Sequence, residues 1–318
     1  MVSDTNVPRT LCPGGIPGRV PTLPYTAHRS GIGPAERRGW WSARYRAADD
    51  ETITPAHEPC AHNRPGQRAG AVIPDLFSIG PFTLHSFGLM VALGLIVSAY
   101  FLSRDLASRG RDPALAWELA IAAGVGGFIG ARIDYLIQNG GGSLFSSTGL
   151  VWYGGVIGGA IGVWLVAAWR KLPIGVVANA MGPALALGYA IGRIGCQLSG
   201  DGDYGSASSL PWAMSYPEGE VPTTELVHPT PIYETTAMLV AFYVLWRLRS
   251  RFDRPWALFG VWCIFAGVER FLIEFVRRND SVVAGLTTAQ LISIGLVTLG
   301  AVLMWTRRST PNGRTVTT

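Results

Sequence analysis

The sequence predicts an all-α, polytopic membrane protein with about seven transmembrane helices. Of its 318 residues, 48% are hydrophobic and only 15% are charged, and the mean hydropathy is +0.27. This composition is too apolar for an ordinary soluble chain. In addition, the apolar residues collect in segments of about 20 residues, the length at which a helix crosses a bilayer.

Seven such segments follow one another along the chain. They run over residues 85–103, 114–137, 150–169, 175–198, 229–248, 256–276 and 286–306. The second and third segments also carry glycines spaced by four residues, Gly126 with Gly130 and Gly155 with Gly159. This spacing predicts that the two helices approach their neighbours closely.

Basic residues lie at alternate ends of the segments, which predicts their orientation. They follow the first, third, fifth and seventh segments: Arg104, Arg109, Arg111, Arg170, Lys171, Arg247, Arg249, Arg251, Arg254, Arg307 and Arg308. The stretches 138–149 and 199–228 contain no Lys or Arg. We therefore expect the N-terminus outside and the C-terminus in the cytoplasm, a pattern from which Arg277 and Arg278 depart.

The residues before the first helix differ from the rest of the chain. Residues 1–71 are rich in Pro, Gly, Arg and Ser and lack periodicity, which predicts a disordered extension. They also lack the apolar core of a signal peptide, and a translation start near Val72 is the alternative. The chain then divides into this extension, a helical membrane domain over 72–308 and a cytoplasmic tail over 309–318.

Charge and cysteine content argue against two other kinds of function. The net charge of +5 comes mainly from the extension and from short segments between helices, so it does not indicate a nucleic-acid surface. The four cysteines form no CxxC pair and no His/Cys cluster at metal-ligand spacing. We expect no nucleic acid, metal or cofactor.

Polar residues at membrane depth are concentrated on one side. In the predicted topology these residues lie toward the outer leaflet: His85, Arg132, Asp134, Tyr153, Arg193, His228, Tyr233, Glu234, Arg270, Glu274 and Arg277. Ionised groups at the edge of the hydrocarbon layer are costly, so their default interpretation is functional. The distribution predicts a polar chamber that opens outward.

Arginines dominate this chamber. Arg270 and Glu274 are one helical turn apart and can pair, either as a structural clamp or beside a ligand. Fewer carboxylates are left for pairing than there are arginines in the set Arg132, Arg193 and Arg277. We therefore expect spare guanidinium groups. A guanidinium matches phosphate oxygens with two parallel hydrogen bonds, which favours a phospholipid headgroup as ligand. Snorkelling of single arginines to the interface is the alternative.

Three residues are candidates for acid–base chemistry or for simpler roles. Tyr153 lies beside Gly154, which allows another group to come close, but interfacial tyrosines are also common in membrane proteins. His85 and His228 could act as general bases, since histidine is the usual residue for that role, although single histidines at helix ends more often form structural hydrogen bonds.

From about residue 76 to residue 308 the chain resembles the bacterial prolipoprotein diacylglyceryl transferases. Six motifs in order carry the resemblance: Leu84-His85-Ser86-Phe87-Gly88-Leu89-Met90, Gly130-Ala131-Arg132, Trp152-Tyr153-Gly154-Gly155, Gly192-Arg193-Ile194-Gly195, His228-Pro229-Thr230-Pro231-Ile232-Tyr233-Glu234, and Arg270 with Glu274 and Arg277. The resemblance implies a plasma-membrane enzyme that moves a diacylglyceryl group from phosphatidylglycerol to a prolipoprotein cysteine thiol. Its partners would be phosphatidylglycerol, prolipoprotein signal peptides and the lipid bilayer.

The resemblance also implies roles for individual residues. Arg193 and Arg270 would handle the phospholipid headgroup, Glu274 would support Arg270, and Gly205 would close the signature loop. The candidate catalytic residues are Tyr153, Arg193 and Arg270, and the candidate substrate-binding residues are Arg132, Arg193, Gly205, Glu234, Arg270, Glu274 and Arg277. Departures from the family pattern, which permit a diverged paralogue, are Phe87, Tyr153, Cys196 and Asp201.

The reaction needs a proton acceptor because the thiolate is the nucleophile. Tyr153, His228 and Glu234 are candidates that the sequence does not rank. Two other functions stay open: a paralogue that acts on another acceptor, and a lipid- or anion-binding membrane protein without catalysis, such as a transporter.

Overall fold

The computed structural model describes residues 72–80, 82–139, 151–252 and 254–305. The predicted extension 1–71, the larger part of the predicted loop 138–149 and the predicted tail 309–318 lie outside these residues. The described part of the chain is mostly helical.

Seven α-helices in this part correspond one to one to the seven predicted segments. They are α1 (Ser86–Ser108), α2 (Leu115–Asn139), α3 (Trp152–Trp169), α4 (Ile174–Ser199), α5 (Thr230–Leu248), α6 (Ala257–Ile273) and α7 (Thr288–Trp305). The largest difference is at the end of α1, which continues beyond the predicted residue 103 to Ser108. The added turn contains Asp105, which is buried and pairs with Arg109 and Arg249, so the helix continues where the apolar pattern ends.

Length and composition support a membrane location. Helices α1, α2, α4 and α7 are long and apolar enough to cross a membrane. Helix α3 is also apolar, over Tyr153–Trp169, and α6 has 17 residues and is continued by a 3-10 turn at Glu274–Val276. The chain is therefore a helical, multi-pass membrane protein.

Three short antiparallel hairpins correct the all-α prediction. They pair β1 (Asp75–Ile79) with β2 (Phe82–His85), β3 (Met214–Tyr216) with β4 (Thr223–Val227), and β5 (Ser281–Val283) with β6 (Leu286–Thr287). In the turn of the third hairpin, Ala284 and Gly285 have φ angles of 51° and 78°, as tight two-residue hairpin turns require. These strands have two to five residues, so an alternating pattern could not emerge from the sequence.

Helix α4 is at the centre of the bundle. It packs against α1, α5 and α6, and 56% of its membrane-length window is buried, against 11–22% for α1, α2 and α7. One buried cluster joins it to α5 and α6: Ala186, Ala190, Met238, Ala241, Leu245 and Leu258. The small alanines of α4 let the two neighbours come close, which brings the polar ends of the three helices together.

One buried amide joins the beginnings of α4 and α6. The Oδ1 atom of Asn179 accepts hydrogen bonds from the backbone N–H groups of Leu258 (2.8 Å) and Phe259 (3.3 Å). These donors have no partner within α6 because they belong to its first turn. The Nδ2 atom donates to the carbonyl groups of Phe252 and Arg254. Asn179 therefore fixes the start of α6 relative to α4.

Helices α2 and α3 pack backbone against backbone. A Cβ atom added at Gly130 would lie 2.2 Å from the carbonyl oxygen of Gly154, and one added at Gly158 would lie 2.2 Å from that of Gly126. Real Cβ atoms do not come this close to backbone, so only glycine fits at these contacts. The predicted close approach is confirmed, with Gly126 and Gly130 at the interface.

On α3, the predicted glycine pair is displaced by one residue. The tightest contacts run through Gly154, Gly158 and Gly162, whereas a Cβ at Gly155 would lie no closer than 3.5 Å to any neighbouring atom and one at Gly159 would lie 3.2 Å from a carbonyl oxygen. The five glycines form two series with four-residue spacing, Gly154-Gly158-Gly162 and Gly155-Gly159. The sequence alone therefore could not show which series faces α2.

We expect Gly158→Ala to destabilise the protein by about 1–3 kcal/mol, because the new methyl group forces α2 and α3 apart. Gly295→Ala is the matched control, since Gly295 lies in α7 with no heavy atom within 4 Å of an added Cβ. Both variants gain the same helix propensity, so a difference between their thermal unfolding midpoints in detergent isolates the contact. Equal midpoints would contradict the backbone packing described above.

Ionic pairs also join helices at the end of the bundle that we predict to be cytoplasmic. Asp105 pairs with Arg109 (2.8 Å) and with Arg249 beyond α5 (3.5 Å). Arg170, after α3, pairs with Glu118 in α2. The remaining charged residues described below lie at the opposite helix ends, in agreement with the predicted one-sided distribution.

Candidate active site

Four charged side chains from distant parts of the sequence meet at one end of the bundle. Arg193 lies near the end of α4, Asp203 in the loop that follows, Glu234 at the beginning of α5, and Arg277 after α6. We call these four residues the ionic cluster. Arg193, Glu234 and Arg277 were predicted site residues, and the structure brings them together.

Arg193 is held by three groups. Its Nη1 atom pairs with Asp203, its Nε atom lies 3.0 Å from Oε2 of Glu234, and its Nη2 atom donates to the hydroxyl of Tyr189 (3.2 Å). The guanidinium carbon also lies 5.1 Å from the centre of the Tyr189 ring. These contacts fix the orientation of the guanidinium plane.

Asp203 bridges two arginines and was missed by sequence reasoning. One carboxylate oxygen pairs with Arg193 and the other accepts a hydrogen bond from Arg277. Burial alone would raise the pKa of Asp203, but the two arginines outweigh it and hold this pKa below its usual value. Asp203 therefore stays ionised, and its contribution to stability is lost only as the pH falls through the lowered pKa. The pairing also explains why Arg277 departs from the charge pattern of the loops.

Glu234 is the fully buried member of the ionic cluster. Its side chain is 0% exposed, and its Oε2 atom lies 3.0 Å from Arg193 and 3.7 Å from Arg277. Tyr189 donates a hydrogen bond to Oε1 (3.2 Å). The expectation of spare guanidinium groups is therefore wrong for Arg193 and Arg277, because a loop carboxylate and a helix carboxylate already compensate both.

Arg270 and Glu274 pair as their spacing predicts. The Nη1 atom of Arg270 lies 2.6 Å from Oε2 of Glu274, and Asn279 donates a hydrogen bond to Oε1 (2.7 Å). The side chain of Arg270 is 26% exposed, against 16% for Arg193 and 12% for Arg277. Of these three arginines, Arg270 is therefore the most accessible to a ligand.

Gly205 joins the loop after α4 to the segment after α6. Its N–H group donates to the carbonyl of His228 (2.8 Å), and its own carbonyl accepts from Arg278 (2.8 Å). An added Cβ would lie 2.4 Å from the carbonyl oxygen of Val276. Gly205 therefore packs backbone against backbone where the loop after α4 meets the segment after α6.

Arg132 and Tyr153 lie on a different helix pair, α2 and α3. Arg132 is buried, with its guanidinium carbon 5.0 Å from the centre of the Tyr135 ring, whereas Tyr153 is 45% exposed at the start of α3. Asp134 accepts a hydrogen bond from the N–H group of Gly154 (3.0 Å). That donor belongs to the first turn of α3, so Asp134 stabilises the turn that carries Tyr153.

The two histidines have structural hydrogen-bond partners. The Nδ1 atom of His85 lies 2.7 Å from Asp75, with both side chains exposed, and the Nδ1 atom of His228 lies 3.4 Å from the hydroxyl of Tyr233. Trp212 donates to the same hydroxyl (2.7 Å).

Cys196, Asp201 and Asp203 form the one group of potential metal ligands found in the described residues, with donor atoms within 4.8 Å of one another. Burial and the neighbouring Asp203 raise the pKa of Asp201. Arg193 lies 3.7 Å from the sulfur and pairs with Asp203, so positive charge is already present and the group does not favour a further cation.

An apolar groove reaches Tyr189, a neighbour of the ionic cluster. It has a volume of about 260 Å³ and lies between α1, α2 and α4, with Leu102, Met181 and Ala184 along its length and Gly192 and Tyr189 at one end. Tyr189 bonds to both Arg193 and Glu234. The site can therefore accommodate an apolar chain and a polar group side by side.

Comparison with known proteins places this chain in a family. A model of prolipoprotein diacylglyceryl transferases matches residues 74–306. Similar proteins named phosphatidylglycerol–prolipoprotein diacylglyceryl transferase come from Chromohalobacter salexigens (32% identity; 74% of this chain and 92% of the relative), Clostridium tetani (30%; 71% and 94%) and Methylococcus capsulatus (30%; 75% and 98%). The ionic cluster and the groove lie within the matched residues, and we conclude that the chain belongs to the prolipoprotein diacylglyceryl transferase family.

Proposed function

We propose that this protein transfers the diacylglyceryl group from phosphatidylglycerol to the lipobox cysteine thiol of prolipoproteins, the first step of lipoprotein maturation. The observation that carries the proposal is the apolar groove that ends at Tyr189, the residue hydrogen-bonded to Arg193 and Glu234. A phospholipid has the same division into apolar chains and an anionic headgroup. The names of the relatives support the same substrates.

The chemistry accounts for arginines at this place. The thiolate sulfur attacks C3 of the diacylglycerol unit, a C–S bond forms, and the C3–O bond to the phosphate breaks. The electron pair of that bond leaves with glycerol 1-phosphate, which gains one negative charge. Guanidinium groups beside the phosphate therefore stabilise the transition state more than the substrate.

The site residues divide into three roles in this proposal. Arg193 and Arg270 bind the phosphate, and Tyr153 with Arg132 lines the α2–α3 side, where the acceptor peptide is oriented. The remaining residues hold the two phosphate-binding arginines in place: Gly205, Glu234, Glu274 and Arg277.

The membrane arrangement is part of the same proposal. Residues 72–308 form the transferase domain, in which all seven helices span the bacterial plasma membrane, with the N-terminus outside and the C-terminus in the cytoplasm. The absence of Lys and Arg from 199–228 supports an outward position of the site, where translocated prolipoproteins expose their cysteine.

Reconstitution of the full-length protein tests the function. Vesicles containing phosphatidylglycerol labelled in its acyl chains are mixed with a lipobox peptide, and transfer is followed by the mass of the peptide. A peptide with serine in place of the lipobox cysteine is the control. Binding of the lipid without transfer to any thiol peptide would instead indicate a lipid-binding protein, and transfer only to a different acceptor would indicate a diverged paralogue.

Tyr153→Phe should lower transfer by at least about tenfold, because it removes only the hydroxyl that orients the acceptor. Tyr243→Phe is the control, since Tyr243 is exposed on α5 and outside the site. Transfer at the normal rate by Tyr153→Phe, together with failure of Tyr153→Ala, would show that the ring only packs.

A further inference from the structure

One carboxylate beside the ionic cluster is not used by the contacts described so far. Glu269 lies in α6 immediately before Arg270. Its Oε1 atom is buried and has neither a hydrogen bond nor an ion pair among the described residues. A buried carboxylate oxygen without a hydrogen bond is costly in a membrane-level helix, which makes Glu269 a functional candidate.

The other buried carboxylates of the site are already committed. Glu234 faces Arg193 and Arg277, Glu274 pairs with Arg270 and accepts from Asn279, and Asp203 bridges two arginines. Each of these three carboxylates is already held by arginine or asparagine side chains, whereas no described contact occupies Oε1 of Glu269. Of these four carboxylates, Glu269 is therefore the one with an oxygen left to accept a proton.

The charges around Glu269 come from the helices that form the site. Arg193, Arg270 and Arg277 attract its carboxylate, and Glu234 repels it. Tyr189 on α4 also faces it. Helix α7, which packs against α6, carries no titratable residue. These neighbours place Glu269 beside the arginines to which we assign the phosphate.

We infer that Glu269 is the general base that takes the proton from the acceptor thiol. The inference rests on the proposed function. The carboxylate oxygen binds the proton of the cysteine S–H group, and the sulfur keeps the electron pair that forms the C–S bond. When the C3–O bond breaks, glycerol 1-phosphate leaves with the electron pair of that bond. Glu269 then releases its proton to water, which restores the carboxylate.

This assignment gives the acceptance of the proton and the orientation of the acceptor to two different residues, Glu269 and Tyr153. His228 bonds to Tyr233, and Glu234 is held by two arginines and a tyrosine. Tyr153 keeps the proposed role of orienting the acceptor, which its exposed position at the start of α3 allows.

The test is the transfer rate of Glu269→Gln in the reconstituted full-length protein as a function of pH. We expect a loss of about 100-fold at pH 7, because the amide has the same shape but cannot accept the proton. The deficit should shrink at least tenfold by about pH 9.5, because the thiol, with a pKa of about 8.5, then ionises without a base. Glu218→Gln, in an exposed part of the loop after α4, is the matched control and should transfer at the normal rate.

Two results would overturn the inference. Normal transfer by Glu269→Gln would remove the residue from the mechanism, and an equal loss at every pH would show that Glu269 only balances the charge of the arginines. The thermal unfolding midpoint of each variant is measured alongside, and formate added to Glu269→Ala should restore part of the rate if a carboxylate is what is missing. Failure of the unaltered protein to transfer would count against the proposed function instead.

Discussion

Replacing Arg270 by alanine should lower diacylglyceryl transfer by at least about 100-fold, because a preplaced donor to a developing oxyanion contributes roughly 3 kcal/mol. Arg270 is more exposed than Arg193 and Arg277 and has one described ion-pair partner, Glu274. Asn279 still donates to Glu274 in the variant, so the protein should fold and insert. The measurement is transfer to a lipobox peptide, supported by complementation of cells that lack the native activity.

Two further variants make this expectation specific. Arg270→Lys keeps the charge but loses the planar fork, and should recover only a part of the rate. Arg251→Ala removes an exposed arginine at the opposite end of the bundle and should not change transfer. A normal rate in Arg270→Ala would exclude this residue from headgroup binding.

Arg193→Ala should abolish transfer and also destabilise the protein, by about 3–5 kcal/mol, because it leaves Glu234 buried with a reduced set of partners. Asp203 would at the same time lose one of its two arginines. The two effects distinguish Arg193 from Arg270, whose loss we expect to affect mainly the rate. Thermal unfolding in detergent measures the first effect and peptide transfer the second.

A second substitution separates the energetic role from the chemical role. Glu234→Gln in the Arg193→Ala background removes the uncompensated charge, so a part of the lost stability should return while transfer stays absent. If Arg193→Ala unfolds at the normal temperature, the ionic cluster does not hold these helices together.

The helices could be predicted because the membrane selects for long apolar segments, and such segments are visible in a single sequence. The end of α1 could not, because the buried Asp105 depends on Arg249, which lies 144 positions later in the sequence. The three hairpins could not be predicted either, since their strands are too short to show a period. The glycine face of α3 that contacts α2 could not be predicted, because glycines at four-residue spacing lie on two adjacent faces of that helix.

Within the site, local pairs could be predicted and distant ones could not. Arg270 and Glu274 are four residues apart, and helical geometry alone brings them together. The bridge formed by Asp203 depends on a loop that returns over the helix ends, so its acidic residues looked like solvated loop charges. Without that bridge, Arg193 and Arg277 seemed to have no partners of their own.

The amide of Asn179 links the beginning of α4 to the beginning of α6, so positions along both helices can be measured from this contact. Measured from this residue and from Leu258, which it contacts, Arg193 and Arg270 lie about 21 Å and about 18 Å along their helices. The two arginines therefore lie at similar depths, because the helix segments that lead to them start at the same contact and have similar lengths. Inserting a single residue into either helix segment would shift one arginine by about 1.5 Å and turn it by about 100° relative to the other. The number of residues between the Asn179 contact and each arginine is thus as much a part of the site as the side chains themselves.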